Sequence, residues 1–115
     1  MNLISSRFPY VRVTLQVLQR NLKVEVLLDT GFDGDITVPP EMILNGKPPQ
    51  GYLPWTLANG EEVNAPYFLG KIRIGKFEPI SVLITALGDE PLVGRGVTDR
   101  FKVIFDHGRK VIVEL

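Results

Sequence analysis

The residues best placed to do chemistry stand together at Asp29-Thr30-Gly31, where the apolar run Val24-Glu25-Val26-Leu27-Leu28 gives out into a turn carrying Phe32, Asp33 and Gly34. Val24, Val26 and Leu28 alternate with Glu25 and Leu27, the two-residue period of a strand with one core face. An ionised acid at the edge of a core must be hydrogen-bonded or share a proton. A carboxyl in that position is a candidate for proton-transfer chemistry, with a hydroxyl and a glycine beside it.

Other chemistries find less support. Asp29, Asp33 and Gly34 fall at the first, fifth and sixth places of a calcium-loop pattern, but Gly31 and Pro40 occupy two places that need ligands. His107 is the only histidine and reads as a turn residue within Asp106-His107-Gly108-Arg109. Ser5, Ser6 and Ser81 have no base at readable spacing. Gly94-Arg95-Gly96 has neither the length nor the lysine of a phosphate loop. With no cysteine there are no disulfides, thiolate nucleophiles or cysteine metal sites, and neither a metal nor a cofactor is expected.

The elements that position Asp29 follow from the pattern around it. Val11, Val13, Leu15 and Val17 alternate with Arg12, Thr14 and Gln16, predicting a half-buried strand over Tyr10 to Leu18. A turn over Gln19 to Leu22 would return the chain along Lys23 to Leu28. After the Asp29 turn, Asp35 to Val38 reads as a short strand stopped by Pro39-Pro40. Pro40 to Leu44 reads as one or two helical turns, and Lys47 to Pro54 as an extended surface loop. Asn59-Gly60 is a strong hairpin signal, because both residues tolerate positive φ. Tyr67 to Ile74 and Ile80 to Ala86 are further strands, Pro91 to Val97 is an apolar segment broken by two glycines, and Thr98 to Arg100 completes a helical turn. Phe101 to Phe105 and Lys110 to Leu115 flank a last hairpin.

The chain of 115 residues has room for one domain, taken here over 1–115, with no repeat or linker. An apolar fraction of 44% and a charged fraction of 23% are those of a globular protein. The formal net charge of zero offers no basic footprint for nucleic acid. No apolar run approaches bilayer length, and Met1 to Arg7 is too short and polar for a signal peptide. The expectation is a cytoplasmic protein without membrane contact.

Asp29-Thr30-Gly31 after an apolar strand, then the Asn59-Gly60 hairpin, then Leu92-Val93-Gly94-Arg95 near the C-terminus: in order and spacing this set resembles the retropepsin-like (retroviral-type) aspartic proteases, and their small cellular members most of all. The resemblance runs from about Tyr10 onward. It implies an all-β fold, a small closed barrel-like acid protease with one or two short helical turns. It also implies a peptidase. Amide hydrolysis needs one group to take a proton from water and another to give one to the carbonyl oxygen or leaving nitrogen. Two carboxyls sharing a proton do both, as is established for acid dyads in this class. This chain has one such triplet; Asp89-Glu90-Pro91, Asp99-Arg100-Phe101 and Asp106-His107-Gly108 do not match. Two copies of Asp29 across a twofold axis must then make the dyad, and a monomer would hold half a site.

The resemblance assigns further roles. Thr30 would hydrogen-bond the partner's loop, and Gly31 would let backbone and substrate approach. Asp33 and Arg95 would form an ion pair bracing the turn, while Gly31, Asp33 and the flap residues Leu57, Ala58, Asn59 and Gly60 would line the peptide groove. The partners expected are a second copy, joined through the active-site loop and the termini, and a peptide or protein substrate. Asn2 to Phe8 and Val111 to Leu115 could instead form an ordinary edge within one chain. Phe32 stands where the family usually has a small residue and cannot donate to the carboxylate, so activity is expected to extend to higher pH. The alternative function is a peptide-binding or assembly module on the same fold with its peptidase activity lost.

Overall fold

The computed structural model describes residues 2–115, and they are almost entirely β. The strands are β1 (Asn2–Ser5), β2 (Tyr10–Val17), β3 (Arg20–Leu28), β4 (Ile36–Val38), β5 (Gly51–Thr56), β6 (Glu62–Ile74), β7 (Ile80–Ala86), β8 (Leu92–Val93), β9 (Lys102–Asp106) and β10 (Lys110–Glu114). Two single helical turns, α1 (Pro40–Ile43) and α2 (Arg95–Thr98), complete the chain. Among the described residues no helix is long and apolar enough to cross a membrane.

Strands β2 and β3 pair antiparallel, Val11 opposite Val26 and Val13 opposite Val24, and all four side chains are buried. The alternation visible in the sequence is thus the alternation of core and surface. The turn is tighter than expected. Pairing runs on to Val17 and Arg20, leaving only Leu18 and Gln19 to reverse the chain, at φ of 52° and 61°. Two left-handed residues match the twist of the flanking strands, and packing of Leu18 against the core holds it there without glycine. A left-handed L-residue costs about 1–2 kcal/mol, partly offset by what glycine loses in chain entropy. Gln19→Gly is therefore expected to stabilise the chain by about 0.5–1 kcal/mol. The check is a urea midpoint that rises with its slope unchanged.

The main sheet has the order β2-β3-β8-β4-β7-β6-β5, and β2 pairs also with β6, Leu15 opposite Ile72, so the strand order returns onto itself. Within it lie Leu15, Val26, Ile36, Phe68, Ile84 and Val93, none more than 1% exposed. The segment Lys47 to Pro54, read as a loop, becomes strand from Gly51 onward, with Leu53 opposite Ala65 and Pro54 opposite Asn64. A proline is tolerated there because β5 is the last strand in the order, with no further partner to miss its N–H.

The termini take the second of the two arrangements expected of them, an edge within one chain. β1 pairs with β10 of the same chain, Leu3 opposite Val113, and β10 pairs with β9, giving a three-stranded sheet within one molecule. Leu3, Val103, Val111 and Val113 pack its inner face onto the core. Arg7 leads from β1 into β2 and holds Glu25 of β3 at 2.9 Å. Its hydrogen bond and charge pull the Glu25 carboxyl below the ordinary range.

Candidate active site

The candidate site is built where β8 lies between β3 and β4. Leu28 pairs in parallel with Val93, and Ile36 pairs antiparallel with the same residue, so the chain between β3 and β4 must arch over the end of β8. That arch is the segment 29–35. Asp29 N–H donates to Val93 O at 3.0 Å, the last rung before the strand gives out.

Beyond β8 the chain feeds backbone donors into the arch. Gly94 N–H reaches Asp35 O at 2.9 Å, Arg95 N–H reaches Phe32 O at 2.8 Å and Gly96 N–H reaches Gly34 O at 3.0 Å. These three bonds brace the turn, in place of the expected Asp33–Arg95 ion pair. The two side chains are exposed and form no ion pair with each other among the described residues. Exposed ion pairs contribute little, and a loop already tied by its backbone gains little from one more.

Close approach sets the residue types here. A Cβ on Gly94 would collide with Gly34 O and with the ring and carbonyl oxygen of Phe32. A Cβ on Gly96 would run into the Asp35 carboxylate, whose Oδ2 accepts from Leu83 N–H at 2.9 Å. Asp35 thus occupies the room into which a larger residue after Gly-Arg would project.

Asp29 is half-buried, and Thr30 and Gly31 are exposed. Gly31 N–H donates to Asp29 Oδ1 at 2.9 Å, and Phe32 N–H donates to Asp29 O at 3.2 Å. The first bond fixes one oxygen of the carboxylate against its own turn. Oδ2 accepts no protein hydrogen bond among the described residues. The carboxylate is therefore oriented and half committed, with one oxygen left for a proton, a water or a second acid.

The hairpin formed by β5 and β6 ends in the loop Leu57 to Glu61. Leu57 N–H donates to Glu61 O at 2.7 Å, Gly60 N–H to Leu57 O at 2.9 Å and Glu61 N–H to Asn59 Oδ1 at 2.9 Å. Positive φ is needed only at Gly60, at 88°, so this is a five-residue tip and not a two-residue turn at Asn59-Gly60. Ala58, Asn59 and Gly60 are exposed. What ties the hairpin to the Asp29 turn is an aromatic pair, Trp55 of β5 against Phe32, with ring centroids 5.2 Å apart. The sequence shows both residues, but not that they meet, since that contact depends on how the sheet folds over.

The sequence carries no signal that marks Arg20 or Asp35 as site residues. Both line a cavity of about 730 Å³ that runs from Gln16–Asn21 to Ser81–Leu83 and meets the active-site arch only at Asp35. Asp29 is not among the residues that line it.

The fold is that of the retropepsin-like aspartic proteases. A retropepsin-like aspartic protease from Rickettsia conorii superposes with a TM-score of 0.66 at 23% identity, over 98% of this chain and 89% of that one. The Simian Foamy Virus (mac) protease gives 0.52 at 12% identity, over 76% of this chain and 91% of that one. The EIAV protease gives 0.51 at 21% identity, over 80% and 86%. No protein-family model matches the sequence. No curated protein matches it either.

Proposed function

We propose that this chain is an aspartic endopeptidase whose working form is a homodimer, with one water held between two Asp29 carboxyls. The observation that carries the reading is the state of Asp29: it stands at a strand end, has one oxygen fixed by Gly31 N–H, and has the other uncommitted. In the reaction the unprotonated Asp29 takes a proton from water as the oxygen attacks the substrate carbonyl carbon. The protonated Asp29 of the other protomer gives its proton to the carbonyl oxygen. The tetrahedral intermediate then breaks its C–N bond as the amine leaves with a proton, and the carboxyls again share one.

Thr30, exposed on the single chain, takes its hydrogen bond from the partner's loop and sets the two acids relative to one another. Gly31, Asp33 and the hairpin tip Leu57 to Gly60 receive an extended peptide as an added strand, with backbone bonds giving affinity. The tip closes over it, and the Trp55–Phe32 contact transmits that closure to the turn.

The test is digestion of a peptide library between about pH 4 and pH 7, with pepstatin as inhibitor, at several protein concentrations. Pepstatin-sensitive cleavage is expected, with activity per chain rising with concentration as dimer forms. Saturable peptide binding without turnover would instead establish a binding module. Cleavage whose rate per chain does not change with dilution, from a species that sediments as a monomer, would refute the shared site.

A further inference from the structure

The outer face of β2, β3 and β6 gathers positive charge that the chain as a whole, with a formal net charge of zero, does not have. Thr14 lies opposite Lys23 on one side and opposite Arg73 on the other, so these three side chains form one row across the sheet. Arg12, two residues back along β2, points the same way. The bases of Lys23 and Arg73 stand about 10 Å apart, two strand spacings, and both side chains are long enough to meet over Thr14.

Arg12, Lys23 and Arg73 are exposed, and none of them forms an ion pair among the described residues. They line one groove of about 430 Å³, of the size that holds small ligands, with Leu3 of β1 in its wall. The one acid in the lining is Glu25, and Arg7 already holds both its oxygens, Nη2 to Oε1 at 2.9 Å and Nε to Oε2 at 3.5 Å. That pair is neutral as a unit, which leaves three cations in the groove without a counter-charge. Like charges on neighbouring strands repel, and a bound anion relieves the repulsion. A carboxylate would offset only one of the three. A phosphate monoester carries close to two charges at neutral pH and has three acceptor oxygens, and a guanidinium can bind two of them at once. A nucleic-acid strand has one charge per phosphate, and the lining holds no aromatic side chain on which its bases could stack.

We propose that this groove binds a phosphate monoester, its oxygens held by Arg12, Lys23 and Arg73, with the Thr14 hydroxyl donating between them. The proposal does not depend on the peptidase reading, and its test uses no turnover.

The test titrates the full chain, labelled with ¹⁵N, against O-phosphoserine and a hexapeptide carrying one phosphoserine. The comparison ligands are the same hexapeptide with glutamate in that place, dimethyl phosphate and a short single-stranded DNA. Saturable shifts are expected at the Thr14, Lys23 and Arg73 amides and at Nε–H of Arg12 and Arg73. Dimethyl phosphate and the glutamate peptide should bind at least about tenfold more weakly than the monoesters. Equal binding of O-phosphoserine and the phosphopeptide would identify a site for small phosphate esters; tighter binding of the phosphopeptide would identify a site for a phosphorylated chain. Arg73→Gln and Lys23→Gln should each weaken binding about five- to tenfold, with Arg73→Lys between Arg73→Gln and the wild type. Arg109→Gln, in the last hairpin and outside the groove, should leave it unchanged. All three positions are exposed, so the substitutions leave the core alone. The absence of saturable shifts up to about 10 mM monoester, equal binding of the diester or the glutamate peptide, tighter binding of the DNA, or an equal loss in Arg109→Gln would overturn the proposal.

Discussion

Asp29→Asn is expected to lower peptide hydrolysis by at least about a hundredfold, and up to roughly ten-thousandfold, while fold and dimer persist. The asparagine side chain keeps an oxygen to accept from Gly31 N–H, the bond that measures 2.9 Å to Asp29 Oδ1, so the turn has no reason to move. What it cannot do is hold a transferable proton. The loss is therefore chemical, and the matching check is an unchanged urea midpoint alongside the lost activity. Mixing makes the test sharper. If each site takes one Asp29 from each chain, equal amounts of wild type and variant at fixed total concentration leave about a quarter of the activity, because only wild-type homodimers keep both acids. Independent sites would leave about half. An activity that survives the substitution would remove Asp29 from the chemistry altogether.

The ease of placing Asp29, and the difficulty of seeing what supports it, have the same physical origin. β2 and β3 are legible because each buries one face, and burial of one face writes a period of two into the sequence. The last hairpin was legible because His107 and Gly108, at φ of 54° and 68°, are turn chemistry set between two alternating runs. The start of β5 was hidden by Pro54, which reads as a loop until the strand proves to be an edge. The Asp29 triplet stood out as an acid at the end of an apolar strand. Its brace did not, because the three bonds from Gly94, Arg95 and Gly96 are made by backbone, which every residue has. The side chains at hand, Asp33 and Arg95, suggested an ion pair that the chain does not form. Arg20 is hidden for a related reason: a charged residue one step beyond a strand's hydrophobic pattern looks like the turn it adjoins. Only the full register, with Val17 opposite Arg20, turns it toward the interior.

Gly94→Ala is expected to cost more stability than any other single methyl added to the site, about 3–5 kcal/mol. The φ of Gly94 is −105°, open to alanine, so the penalty is one of space and not of conformation. An added Cβ meets Gly34 O, Phe32 O and the Phe32 ring. Two of these three are main-chain atoms of the arch itself. They can retreat only by stretching the bonds Gly96 N–H to Gly34 O at 3.0 Å and Arg95 N–H to Phe32 O at 2.8 Å. Overpacking a filled site costs about 1–3 kcal/mol, and each bond weakened adds about 1 kcal/mol. Against a total stability of about 5–15 kcal/mol, the urea midpoint should fall by a large fraction. A double-mutant cycle separates the two sources of crowding. Phe32→Ala removes the ring and makes room on that side, but leaves both carbonyl oxygens where they are. If the backbone brace holds the arch, Phe32→Ala should recover less than half of the Gly94→Ala loss. Full recovery would mean that the aromatic ring, packed against Trp55, is what fixes the turn under the catalytic acid.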